Sequence, residues 1–110
     1  MNTRSILPRQ QSNIARESIL RAVCEVWHID EQEIFGPSKK QPESFARQLC
    51  MALMYQMTSM TLMDVGAYFS NRHHSTILHA IKRVDLASND PNIVELINQS
   101  IKKIQRHENK

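Results

Sequence analysis

Thr61-Leu62-Met63-Asp64-Val65-Gly66-Ala67-Tyr68-Phe69-Ser70-Asn71-Arg72-His73-His74-Ser75-Thr76-Ile77-Leu78-His79-Ala80 is the stretch on which the fold turns. Thr61 suits a helix N-cap, and Asp64 three residues on favours the positive end of a helix. Leu62, Val65 and Phe69 recur at spacings of three and four, which gives that helix one apolar face. Gly66 inside it costs stability unless another segment approaches closely. Ser70-Asn71-Arg72 is a short polar break. A second helix follows over residues 73–87, with Ile77, Ala80, Ile81 and Val84 on its buried face. Its first turn carries His73, His74, Ser75 and Thr76, side chains better suited to touching bases than to packing. Two short helices with a tight turn between them form a helix-turn-helix, which offers such a first turn to base edges in the major groove. An ordinary helical hairpin in a small bundle is the plain alternative.

Upstream of this stretch, residues 1–11 read as a flexible arm. Residues 12–28 read as a first long helix, capped by Ser12 or Asn13, with Ile19, Val23, Val26 and Trp27 on its apolar face. Trp27 is expected as a core anchor. Asp30 caps a short helix through Phe35, which Gly36 and Pro37 end. The loop 36–42 holds two prolines and two lysines, Lys39 and Lys40, and reads as a stiff, basic, exposed connection. Glu43 to Thr58 is the third helix, with Ala46, Leu49, Cys50, Leu53, Met54 and Met57 at core spacing. Four of the six methionines lie between 51 and 60, which suggests an adaptable core. Downstream, Asn89-Asp90-Pro91 starts a last helix that is expected to reach about Gln105, packed through Val94, Ile97, Ile101 and Ile104. Residues 106–110 read as a polar tail. The expected architecture is all-α, a compact bundle of about six helices, with one domain over residues 12–105.

The chain of 110 residues is long enough for one domain with a real core. No apolar run approaches the ~18 residues that span a membrane, and the N-terminus lacks the apolar centre of a signal peptide. Net charge is +3, and it is unevenly spread. Residues 1–16 carry three arginines and no acid, whereas residues 17–34 carry net −4. Residues 35–47 and 70–86 each carry net +2. Basic segments alternating with an acidic first helix suit one basic face for nucleic acid. Cys24 and Cys50 stand alone at apolar helical positions and read as reduced, buried thiols in a cytoplasmic protein.

The five histidines invite a metal hypothesis. His74 and His79 are five apart and His73 and His79 six apart, not the i, i+4 spacing that shares a helix face. Adjacent His73 and His74 are expected to diverge. No carboxylate lies at useful spacing, so no metal is expected. There is no glycine-rich phosphate loop, hence no nucleotide cofactor, and no nucleophile with an arranged base, hence no enzyme.

Ala46-Arg47-Gln48, followed by T-L-x-x-V-G-x-x-F-x-x-R-x-H-S-T-I-L-H-A, resembles the C-terminal DNA-binding domain of the bacterial DnaA family of chromosomal replication initiators. That family runs roughly A-R-Q/M, then S-L-P-x-I-G-x-x-F-G-x-R-D-H-T-T-V-x-H-A, and the resemblance covers about residues 14–105. It implies a Trp-repressor-like helix-turn-helix fold, and double-stranded DNA as the partner. It implies base contacts from His73, His74, Ser75 and Thr76 in the major groove, and from Lys39 on the loop 36–42 at the minor groove. It implies DNA-backbone contacts from Lys40, Arg47, Gln48, Leu62, Arg72, His79, Lys82 and Arg83. Lys39 stands where the family has an arginine and lacks its planar fork. His73 replaces an Asp that can accept from cytosine N4, so an altered preference is expected at that base pair. Met63 replaces a proline and Ser70 a glycine.

Read as complete from Met1, the chain would lack the initiator's ATPase. It would then occupy initiator-type sites at the nucleoid or regulate replication or transcription there, with other replication or regulatory proteins as further partners. A monomer is expected, since the exposed faces show no heptad seam. A protein-interaction module on the same fold, with weakened DNA readout, is the alternative.

Overall fold

A computed structural model of the protein describes residues 14–109. In it six helices follow one another: α1 (Arg16–Trp27), α2 (Glu31–Phe35), α3 (Glu43–Met57), α4 (Leu62–Tyr68), α5 (His74–Ala87) and α6 (Pro91–Glu108). There is no strand among the described residues. The expected arm, residues 1–11, and the expected caps Ser12 and Asn13 lie outside them.

The run Leu49 to Met54 is buried without a break, and this decides the architecture. A helix apolar on every side has to be enclosed by others. The helices α1, α2, α4 and α5 pack around α3, and α6 lies along α1. Ile19 and Val23 of α1, Ile34 of α2, Val65 of α4, and Ile77, Ala80 and Val84 of α5 join that core. Ile97 and Ile104 bring α6 onto it. Beside it, Phe35 sits against Phe69 with ring centroids 5.2 Å apart and meets Tyr68 edge-on at 5.3 Å. Trp27 is half-buried against Phe45, centroids 5.5 Å apart, closer to a core margin than to its centre.

The boundaries follow local chemistry. Asp30 starts α2 in a reciprocal capping box with Glu33. The side chain of Asp90 accepts from the Asn92 N–H at 2.9 Å and Pro91 opens α6. Two ends differ from expectation: the start of α1, which has Ala15 at its N-cap rather than Ser12 or Asn13, and the end of α6. The helix α6 runs three residues past Gln105 to Glu108, because its end is tied down. The Glu108 carboxylate accepts from the Ala15 N–H at 3.3 Å and from the Ser18 hydroxyl, so it serves the start of α1, where no side chain of α1's own N-cap does.

Both thiols are free. Burial, then the carboxylates of Glu31, Asp30 and Glu25, push Cys24 up to about 11. Burial also pushes the Cys50 thiol well up. Raised thiols are poor nucleophiles at neutral pH.

Candidate nucleic-acid interface

The helix-turn-helix is assembled by contacts the sequence can be read for and by others it cannot. At the start of α4, the Thr61 hydroxyl accepts from the Asp64 N–H at 3.0 Å and Asp64 accepts from the Thr61 N–H at 2.9 Å. The Thr61 hydrogen bonds pull the Asp64 carboxyl below its ordinary value. At the turn, Ser70 and Asn71 both take left-handed backbone, with φ 61° and 58°. The Arg72 N–H donates to the Gly66 carbonyl at 2.8 Å. A Cβ built on Gly66 would stand 2.2 Å from the Arg72 carbonyl oxygen, so only glycine lets the turn fold back on α4.

His73 is the N-cap of α5, one position earlier than a first-turn residue. Its Nδ1 accepts from the Ser75 N–H at 3.1 Å and lies 2.8 Å from the Ser75 hydroxyl. The His73 and His74 rings do not diverge as expected. Their centroids are 4.2 Å apart with the planes tilted by 32°, so the two rings lie against each other. Among the described residues no group of three His, Cys, Asp or Glu side chains is placed to hold a metal. His73, His74, Ser75 and Thr76 are all exposed, while Ile77, Ala80 and Val84 behind them are buried.

The loop 36–42 is fastened to this unit by two guanidinium groups. Arg47 of α3 is only 4 % exposed. Its Nε donates to the Ile34 carbonyl at 2.6 Å, Nη1 to Ser38 at 2.9 Å and Nη2 to Glu33 at 3.2 Å. Burial, then the nearby Arg72 charge, pull its pKa below the ordinary arginine value. Arg72 donates from Nε to the Phe69 carbonyl at 3.1 Å and from Nη2 to the Gly36 carbonyl at 3.0 Å. Arg47 therefore departs from the expected open phosphate donor, because the carbonyls left unpaired where α2 ends need a partner. Arg72 shares that duty between the turn and the loop. The sequence carried a signal for Arg47, which stands three and four residues before Cys50 and Met51, on the buried side of α3.

Between the loop, the start of α3 and α5 runs a groove of about 340 Å³. Lys39, Arg47, Gln48, Arg72, Thr76, His79 and Arg83 line it, and no carboxylate does. Seven of the expected site residues thus come together. His73 and His74 line a second cleft beyond Arg72, beside Met63 and Asn71. Ser75, Lys40 and Lys82 are exposed but line neither cleft, and Leu62 is half-buried as the first residue of α4. Gln48 turns its buried Oε1 to no partner among the described residues. Ser44 and Gln41 also line the groove and had not been singled out. Gln41 accepts from the Phe45 N–H at 3.2 Å, which caps α3. No helix of the described residues is long and apolar enough to cross a membrane.

A family model described as the bacterial dnaA protein helix-turn-helix matches residues 16–84, from the first residue of α1 to within three residues of the end of α5. Chromosomal replication initiator protein DnaA of Bifidobacterium animalis subsp. lactis is 33 % identical over 92 residues, covering 83 % of this chain and 16 % of that protein. The DnaA protein of Thermodesulfovibrio yellowstonii is 32 % identical over 102 residues, covering 92 % of this chain and 23 % of that one. The chain spans about a sixth to a quarter of the length of the curated relatives it matches.

Proposed function

The chain belongs to the bacterial DnaA helix-turn-helix family, a non-catalytic DNA-binding domain, and on that premise we propose that it reads a specific duplex sequence. In this reading α5 enters the major groove and the loop 36–42 lies at the neighbouring minor groove. The observation that carries it is the acid-free groove set beside four consecutive exposed side chains at the start of α5. His73, His74, Ser75 and Thr76 face base edges, where hydroxyls and imidazoles can exchange hydrogen bonds. Lys39 reaches the minor groove, and Lys40, Lys82, Arg83, Gln48, His79 and the start of α4 at Leu62 meet phosphates. Arg47 and Arg72 contribute their charge from fixed positions. The chain acts as a monomer at initiator-type sites, alongside other replication or regulatory proteins.

Fluorescence anisotropy with two labelled duplexes, one holding an initiator-type site and one scrambled, tests this across a salt series. The four open cations Lys39, Lys40, Lys82 and Arg83 imply a slope of log K on log salt of up to about −4. Preference for the specific duplex that survives physiological salt supports the reading. Equal binding of both leaves phosphate contacts alone. One further surface favours a second reading. Trp27, Pro42, Phe45, Leu86 and Ile93 line an apolar groove of about 460 Å³, and Leu86 is 69 % exposed. A folded chain that binds neither duplex points to protein interaction through that surface.

A further inference from the structure

We propose that His73 presents a hydrogen-bond donor to the major groove, so that the chain selects a base edge with an acceptor there and rejects cytosine. This inference rests on the DNA-binding reading above. The helix start itself decides which ring nitrogen carries the proton. The Ser75 main-chain N–H, aimed by the backbone of α5, lies 3.1 Å from Nδ1 of His73. A main-chain N–H only donates, so Nδ1 keeps its lone pair. In a neutral imidazole the proton then sits on Nε2. The Ser75 hydroxyl, 2.8 Å from the same Nδ1, donates its hydrogen there and turns only lone pairs outward.

Nε2 is on the ring edge away from the cap, on an exposed residue. The His74 ring lies beside the imidazole, centroids 4.2 Å apart, and is itself exposed. The first turn therefore offers a donor at His73 beside an acceptor at Ser75. Guanine N7 and O6, adenine N7 and thymine O4 accept from such a donor. Cytosine shows only its N4 amino group in the major groove, and donor would face donor. A carboxylate at this position would have the opposite preference, since it accepts from N4.

Two substitutions separate the donor from the cap. Asp and Asn are both strong N-caps, so His73→Asp and His73→Asn keep the start of α5. The Asp variant turns only acceptor outward, whereas the Asn variant spends its carbonyl on the cap and turns an amide donor outward. The full chain and both variants are each used to select from duplexes randomised over two helical turns. The expected result is one position where the native chain and the Asn variant deplete cytosine and the Asp variant enriches it, with the other positions unchanged. Placing cytosine there in the selected duplex weakens the native chain roughly five- to tenfold and leaves the Asp variant no weaker. If all three chains select the same base at every position, the inference is overturned while the DNA-binding reading stands. If folded chains bind duplexes but enrich no sequence, or bind none, the reading beneath it fails as well.

Discussion

The back of the molecule and its groove handle charge in opposite ways. Along the seam of α1 and α6, carboxylates meet side-chain and main-chain donors. Glu25 pairs with His107 at 3.1 Å and Lys103 at 3.9 Å. On the groove side the guanidinium groups of Arg47 and Arg72 meet main-chain carbonyls instead. A carbonyl restrains a cation without cancelling its charge. Two of the groove's cations are therefore held in place with no carboxylate among their hydrogen-bond partners, whereas Lys103 of the seam sits beside one. Rigid, uncancelled charge is what a phosphate backbone rewards.

The comparison breaks first at Gly66. Gly66→Ala is expected to lose about 2–4 kcal/mol, since the new methyl meets main chain that cannot swing aside. Denaturant unfolding measures it, and an unchanged midpoint would show that the turn is not fixed by this approach. The next probe sets the two regions against each other. Arg47→Met leaves the Ile34 and Ser38 carbonyls without their guanidinium donor, while Glu33 keeps the Gly36 N–H, and is expected to cost about 2–4 kcal/mol. Glu25→Gln breaks exposed pairs and should cost under about 1 kcal/mol. Equal losses from the two would erase the distinction.

Binding should sort the other way. Lys39→Ala and Arg83→Ala are expected to shift stability by no more than about 0.5 kcal/mol. Each should lower the steepness of the salt dependence by about 1, read by anisotropy titration. A variant that unfolds the chain instead would mean these cations are structural too. Ser70→Gly should stabilise by about 0.5–1 kcal/mol, by relieving left-handed backbone at φ 61°. The smallest effect is expected at Asp64, which is fully exposed. Its carboxyl is lowered in the folded chain by the hydrogen bonds of Thr61. Its contribution is complete above the unfolded carboxyl value of about 3.9 and is lost as pH falls through the lower folded value. Asp64→Asn should flatten that acid limb of the stability profile.

Much of the fold was legible because its signals are local. Thr61 with Asp64, Asp30 with Glu33, and Asp90 before Pro91 name helix starts within four residues. The apolar spacing in α3 marked a central helix. Gly66 inside α4 announced a close approach, though not by what. The site was legible as a set of residues: Lys39, Thr76, His79 and Arg83 do share one groove. It was not legible as a division of labour. Arg47 read as an open cation, and its place beside Cys50 and Met51 was the overlooked sign of burial. The stacked rings of His73 and His74 had no sequence signal, since neighbours at a helix start have freedom that periodicity does not describe.

By itself, then, the sequence determined six helices, most of their starts, the tight turn and the family to which they belong, because periodicity and capping act between near neighbours. Only the tertiary structure decided where the charges go. Arg72 reaches a carbonyl 36 residues away at Gly36, and Arg47 reaches back across the loop to Glu33 and Ile34. Guanidinium groups find such acceptors only after the helices have packed and left carbonyls unpaired at the end of α2. The Ser75 main-chain N–H that meets Nδ1 of His73 likewise has its direction only once α5 has formed.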